Sequence, residues 1–182
     1  AEGGWTVVRL TLKRRTPSFA VNRDLSGRVD VEGGVGPSDY LRTFAEGRWL
    51  LPAGAMSFLL RAAVGATNGH LPDHRAFVLG GRGTLLGEPF RGRRGTRMTW
   101  ASAEWQVPVG VPEVRMGSFA GTGRRLTLAP NVAVGWTEGL VTGSGLPSGP
   151  DISLGLGASW LHDLLRFDVG YGISSRRLGF SV

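Results

Sequence analysis

The 182-residue sequence has no cysteine, a single lysine (Lys13) and no long apolar run. The missing cysteines exclude disulfide scaffolds, iron–sulfur clusters, cysteine-ligated zinc and thiol nucleophiles together. The most apolar stretch, Trp49 to Leu60, is broken by Pro52, Gly54 and Ser57. No segment therefore reaches the ~18–20 uninterrupted apolar residues of a membrane helix. Charged residues are scarce, 19% against about 25% in soluble domains, while a hydrophobic content of 41% is too high for a disordered chain. Glycine is abundant at 30 residues, about twice its usual share, but lacks the three-residue period of collagen. Twenty of the 21 basic residues are arginine, and the formal net charge is +7. Such a charge commonly points to nucleic acid, yet arginine in place of lysine in a Gly- and Ala-rich chain is also what a GC-rich genome produces. The arginines fall largely on one face of the segments described next and in loops, so no nucleic-acid partner is expected. Ala1-Glu-Gly-Gly offers neither an initiator methionine nor an apolar signal core, and a processed or cut N-terminus is expected.

What the chain does have is a period of two. From Trp5 to Arg14, Val8, Leu10 and Leu12 alternate with Arg9, Thr11 and Lys13, the signature of a strand with two unlike faces. The same alternation predicts strands over Arg28–Val35, Tyr40–Leu51, Met56–Val64, Met98–Val107, Leu126–Trp136, Ile152–Trp160, Leu165–Ile173 and Leu178–Val182. These are nine candidates, with a tenth considered over Phe19–Leu25, and no convincing helix. One face is apolar throughout; the other carries glycine, small polar residues and charges of both signs.

A soluble sandwich buries such apolar faces against each other, whereas a transmembrane barrel turns them to lipid and lines its lumen with the small and polar face. Several segments run to the 9–11 residues that cross a bilayer when tilted, longer than the ~5–6 of globular strands. Trp49, Trp105, Trp136, Trp160 and Tyr171 lie near strand ends on the apolar face, as an interfacial girdle would. Short links (Leu51–Ala55, Gly110–Pro112, His162–Asp163, Ser174–Arg177) and long ones (Ala66–Arg97, Glu138–Pro150) are expected to divide between two rims. The predicted class is an all-β, antiparallel transmembrane β-barrel wall of about 8–10 strands, spanning residues 1–182 as a single region, with a soluble sandwich as the competing fold.

The longest loop contains Phe77-Val-Leu-Gly-Gly-Arg-Gly-Thr-Leu-Leu-Gly-Glu-Pro-Phe-Arg-Gly92, followed by Gly95-Thr-Arg-Met98 and a strand ending Ala103-Glu-Trp-Gln-Val-Pro108. This arrangement resembles the C-terminal barrel of the BamA/TamA outer-membrane family, the bacterial surface antigens. There a long loop reads LGG-x-x-x-LRGY or VRGF before a glycine-rich stretch and an E-Y-R-x-P strand. Arg15-Thr-Pro17 through Ser26-Gly27, Asn131–Trp136, Leu165–Tyr171 and Leu178–Val182 resemble further family segments in the same order, so the likeness covers nearly the whole chain. It implies a bacterial outer-membrane location and a role in inserting or translocating outer-membrane or secreted polypeptides. It also implies N-terminal strands and periplasmic POTRA domains in a longer chain, with no catalysis and no cofactor.

Two departures from the family pattern are informative. Alignment on Gly80-Gly81 puts Leu86 in the place of the motif arginine, keeps Gly87, and sets Glu88 in the aromatic position. The resemblance implies that this arginine pins the loop to acidic residues of the lumen wall. Here Arg82 or Arg91 would have to substitute, with Glu104 and Asp168 as their expected partners; a solvated, undocked loop is the alternative. The loop-docking candidates are accordingly Gly80, Gly81, Arg82, Gly83, Gly87 and Arg91. Secondly, the family usually closes on an aromatic residue, whereas Leu178, Phe180 and Val182 form the closing strand here. Family barrels have about sixteen strands, and nine would leave an exposed edge that a membrane does not tolerate. A fragment of a longer chain or one further strand is expected. A small self-closed eight-stranded barrel acting as pore, adhesin or structural protein remains the alternative, and a soluble ligand-binding β-barrel is the third.

Other chemistry finds little footing. His70, Asp73 and His74 form an HxxDH cluster, but Leu71-Pro72 precludes helical pairing and no third strong ligand is near in sequence, so no metal is expected. Neither G-x-S-x-G nor a P-loop motif occurs, and His162 is expected at a rim.

Overall fold

A computed structural model describes residues 6–17, 24–36, 39–113, 115–116, 120–121, 123–140, 149–160 and 164–182. Twelve strands are formed: β1 (Thr6–Pro17), β2 (Asp24–Val35), β3 (Tyr40–Ala53), β4 (Met56–Gly69), β5 (Phe77–Leu79), β6 (Arg93–Gly110), β7 (Arg115–Met116), β8 (Ala120–Gly121), β9 (Arg125–Leu140), β10 (Asp151–Trp160), β11 (Leu165–Gly172) and β12 (Arg177–Ser181). The one helical turn among them is the 3₁₀ segment Asp73–Arg75.

Each of the nine alternating segments forms a strand, and the nine pair antiparallel in sequence order from β1 to β12. Several exceed the alternating windows, β6 with 18 residues and β9 with 16, while β11 ends at Gly172, one residue short of its window. Backbone pairing continues where the side-chain pattern lapses into Arg93-Arg-Gly-Thr-Arg97 and Thr137-Glu-Gly-Leu140. Trp5, His162, most of Phe19–Leu25 and residues 141–148 of the Glu138–Pro150 link lie outside the described residues. Asp24 and Leu25 open β2.

Three strands escaped the periodicity because they are too short to show any. β4 meets β6 only as far as Arg97; beyond it β5 takes up the same edge, pairing Phe77 with Gly95 and Leu79 with Arg93. The other two form the small β7–β8 hairpin, which corrects the short link expected at Gly110–Pro112. The connection from β6 to β9 runs from 111 to 124, closed at its base by the Val111 amide donating to the Arg124 carbonyl at 3.0 Å. Link lengths thus do not divide cleanly between the rims. The 111–124 link shares its rim with the two-residue β3–β4 turn, and the four-residue β11–β12 turn lies on the rim of the 70–92 loop.

The two faces differ as the alternation requires. On one, Val8, Leu10 and Leu12 are about 70% exposed, continuing through Val64, Trp105, Val134, Leu154, Phe167 and Phe180, all exposed. Cross-strand pairs keep this face in register: Trp49 opposes Leu60, Leu156 opposes Val169, and Tyr171 opposes Leu178. Phe58 and Trp105 stack at 6.0 Å. Among the described residues no second sheet covers this face, so the sandwich expectation fails at the level of the sheet. On the opposite, inner face lie Asp30, Glu32, Glu104, Asp151, Ser153 and Asp168, all buried. Among the described residues an apolar cluster on this face joins Ala63, Phe77, Leu79, Leu85, Met98, Trp100 and Ala133. The sheet is open, with β1 and β12 at its ends.

Candidate functional site

The loop between β4 and β6 folds back over the inner face. Its own hydrogen bonds make it compact: the Gly81 amide donates to the Leu85 and Glu88 carbonyls, Glu88 N–H to Leu85 O at 3.0 Å, and Gly92 N–H to Pro89 O at 2.9 Å. Gly80 and Gly81 turn at φ 112° and 83°, a region L side chains avoid. A Cβ on Gly80 would also overlap the Pro89 carbonyl. Arg91 takes φ 54° without that licence, a conformation uncommon for a non-glycine residue.

Docking is achieved by apolar residues against glycines. Leu85 is fully buried, and a Cβ at Gly135 of β9 would come within 3.1 Å of it. Leu86 lies over β11 and β12: a Cβ at Gly170 would meet its side chain at 2.8 Å, and one at Gly179 would overlap its carbonyl oxygen. Gly170 and Gly179 are register partners, so the two strands form one smooth notch. Gly87 packs so closely on the Tyr171–Gly172 backbone that a Cβ there would overlap it, and its amide donates to Ser153 Oγ at 3.0 Å. At the base of the loop Arg93 pairs with Asp151, Nη2 to Oδ1 at 2.6 Å, both buried.

No protein-family model matches the chain, and no curated protein does. The reading of the loop therefore rests on its geometry and on the motif resemblance.

That geometry separates the expected site residues into two groups. Gly80, Gly81, Gly83, Gly87 and Arg91 lie in the folded loop, with Arg91 packed beside Phe90 at 5.8 Å. Arg82 is at its surface and donates to the Val182 carbonyl at 2.7 Å. Neither arginine reaches the expected acids. Glu104 and Asp168 do face inward, but Arg166 of β11 takes both: Nη2 donates to Glu104 Oε2 at 2.7 Å and Nε to Asp168 Oδ1 at 2.9 Å. The guanidinium crosses β10 above Gly157, where a Cβ would meet it at 2.9 Å. Gln106 and Ser57 extend the chain of bonds from Glu104 to β4. This corrects the expected pairing for a physical reason. With Leu86 in the arginine position, the loop is held by van der Waals contact and backbone bonds, and the acids are neutralised within the wall. Leu178, Phe180 and Val182 are exposed on the outer face.

Leu85, Ser153, Asp151 and Arg166 were not singled out by sequence, and Leu86 was noted only as the residue in the place of the motif arginine. The signal for Arg166 was present: it shares a strand face with Asp168 two residues on. His70 and Asp73 belong to the approach to the loop; the His70 amide donates to Asp39 O and the Asp73 carbonyl accepts from Arg94.

Glu88 makes docking sensitive to pH. Burial raises its carboxyl above the usual glutamate range, with the nearby Asp151 charge adding to the shift and the Ser175 hydroxyl opposing it. Both its oxygens are buried without a hydrogen-bond donor in bonding geometry. An acid raised in the folded state binds its proton more tightly there than when released. Docking is therefore strongest below the ordinary glutamate range and weakens as pH rises through the raised value. The expected result is a loop more protease-sensitive in the wild type than in Glu88→Gln at pH 8, with the difference vanishing near pH 4.5. Equal cleavage at both pH values would remove this role.

Proposed function

We propose that the chain forms part of the wall of a bacterial outer-membrane β-barrel of the BamA/TamA type, serving the insertion or translocation of outer-membrane or secreted polypeptides. The observation that carries the reading is the continuous, uncovered apolar face of a nine-strand antiparallel path whose opposite face is polar and glycine-lined. Outer-membrane lipid is the partner that such a face fits. The loop docked on the inner face, with Gly87 seated on the wall, supports the family assignment. In a nine-strand antiparallel path the end strands run in the same direction, so direct closure requires a parallel seam. That favours further strands, supplied with POTRA domains in a longer polypeptide, over a small self-closed barrel.

Two measurements test this. Heat-modifiable gel mobility and vesicle insertion of the chain support the barrel; a monomer folded without detergent overturns it. Vesicles carrying the protein should speed the assembly of an unfolded outer-membrane client over empty vesicles, and equal rates overturn the insertion role. Leu154→Arg, at the middle of the outer face, is expected to cost about 2–4 kcal/mol of folding in lipid. Leu164→Arg, outside the strands, is expected to be near neutral. Equal refolding yields for the two would refute the lipid-facing assignment.

A further inference from the structure

Between the docked loop and strands β1 to β4 and β6 lies a cavity of about 910 Å³. Among the described residues nine cationic side chains line it, and Glu46 is the one acid. Part of that charge is compensated from behind. Arg9 Nε donates to Glu32 at 2.9 Å, with Arg75 also paired to Glu32 at 3.4 Å. Arg28 pairs with Asp30 at 2.6 Å and Arg48 with Asp24 at 3.3 Å. Lys13, Arg14, Arg42, Arg61 and Arg91 have no carboxylate partner among the described residues.

Arg42 and Arg61 are the most telling. Their guanidinium carbons sit 4.2 Å from the Phe77 ring centroid and 5.5 Å from that of Trp100. The Nε of each is buried without a hydrogen-bond partner. The rings hold the charged ends without using their donors. A guanidinium fork pairs in bidentate fashion with phosphate-type oxygens, and the cavity is in the roughly 300–1,000 Å³ range of small-ligand sites. The unpaired cations come from three sides: β1, the β3–β4 pair and the loop.

We propose that this cavity binds a small polyvalent oxyanion of the phosphate class. Several like charges held around one open space are relieved by a compact multiple anion, whose charge each unpaired cation can share. The site is distinct from the loop-docking contacts and does not depend on the sheet lying in a membrane.

The test is calorimetric titration of the full chain with pyrophosphate at low salt, in non-ionic detergent or in buffer as its solubility requires. Saturable binding that weakens with added salt is expected. It should fall at least tenfold in Arg42→Gln/Arg61→Gln, whose fold is checked by strand content and gel mobility. Lys13→Gln/Arg14→Gln, on an edge strand, gives a second variant should the first not fold. Weakened binding in either double variant supports the site. No saturable heat from the wild type, or unchanged affinity in the folded variants, overturns it. Gel mobility and vesicle insertion report on the barrel reading separately.

Discussion

Replacing Arg166 with glutamine is expected to destabilise the sheet more than any other single change on its inner wall. Glu104 and Asp168 are 3% and 8% exposed, and one guanidinium supplies the countercharge for both. Removing one member of a buried charge pair costs about 3–5 kcal/mol, because the partner is left desolvated and uncompensated. Here two carboxylates would be left. Arg166→Lys should fall between, since an ammonium cannot present a planar fork to two acids on different strands. Neutralising the acids in the triple variant Arg166→Gln/Glu104→Gln/Asp168→Asn should restore much of the loss. Unfolding midpoints in denaturant measure all three. A glutamine variant within about 0.5 kcal/mol of wild type, the range of ordinary surface substitutions, would show that the network contributes little.

The contrast between Arg166 and the loop arginines explains what the sequence made legible. Strands were readable because one face is apolar and the other is not, over lengths that allow no other period. The inner position of Glu104 and Asp168 followed from the same alternation. Their partner did not, because strand order decides which residues meet across β9 and β10, and an arginine spans that distance only where Gly157 leaves room. The loop misled in a related way. Its family likeness directed attention to charge, so Leu86 looked like a loss. In three dimensions Leu86 is the contact, accommodated by Gly170 and Gly179, which in sequence lie in separate strands. The β7–β8 hairpin and β5 were hidden for a simpler reason: two or three residues carry no period. The clustering of Arg42 and Arg61 beneath the loop was likewise invisible, as it depends on the aromatic rings of Phe77 and Trp100 arriving from elsewhere in the chain.

Gly87→Val is expected to release the loop while leaving the sheet intact. A Cβ at this position would fall on the backbone of Tyr171 and Gly172, which belongs to a paired strand and cannot move aside as a side chain would. Overpacking commonly costs about 1–3 kcal/mol, and the displaced amide also loses its bond to Ser153. That cost is borne locally, because Leu85 and Leu86 can leave the wall without breaking a β-ladder. The expected readout is tryptic cleavage after Arg82 and Arg91 faster than in the wild type at the same pH, with strand content and gel mobility unchanged. Gly47→Ala, where an added Cβ meets nothing within 4 Å, serves as the control and should leave cleavage as it was. If the sheet is a barrel wall, the released loop no longer occupies the inner face, and the same variant should raise conductance in planar bilayers. Cleavage at the wild-type rate would mean that the glycine notch does not hold the loop. Cleavage with unaltered conductance would keep the docking and remove its part in closing the lumen.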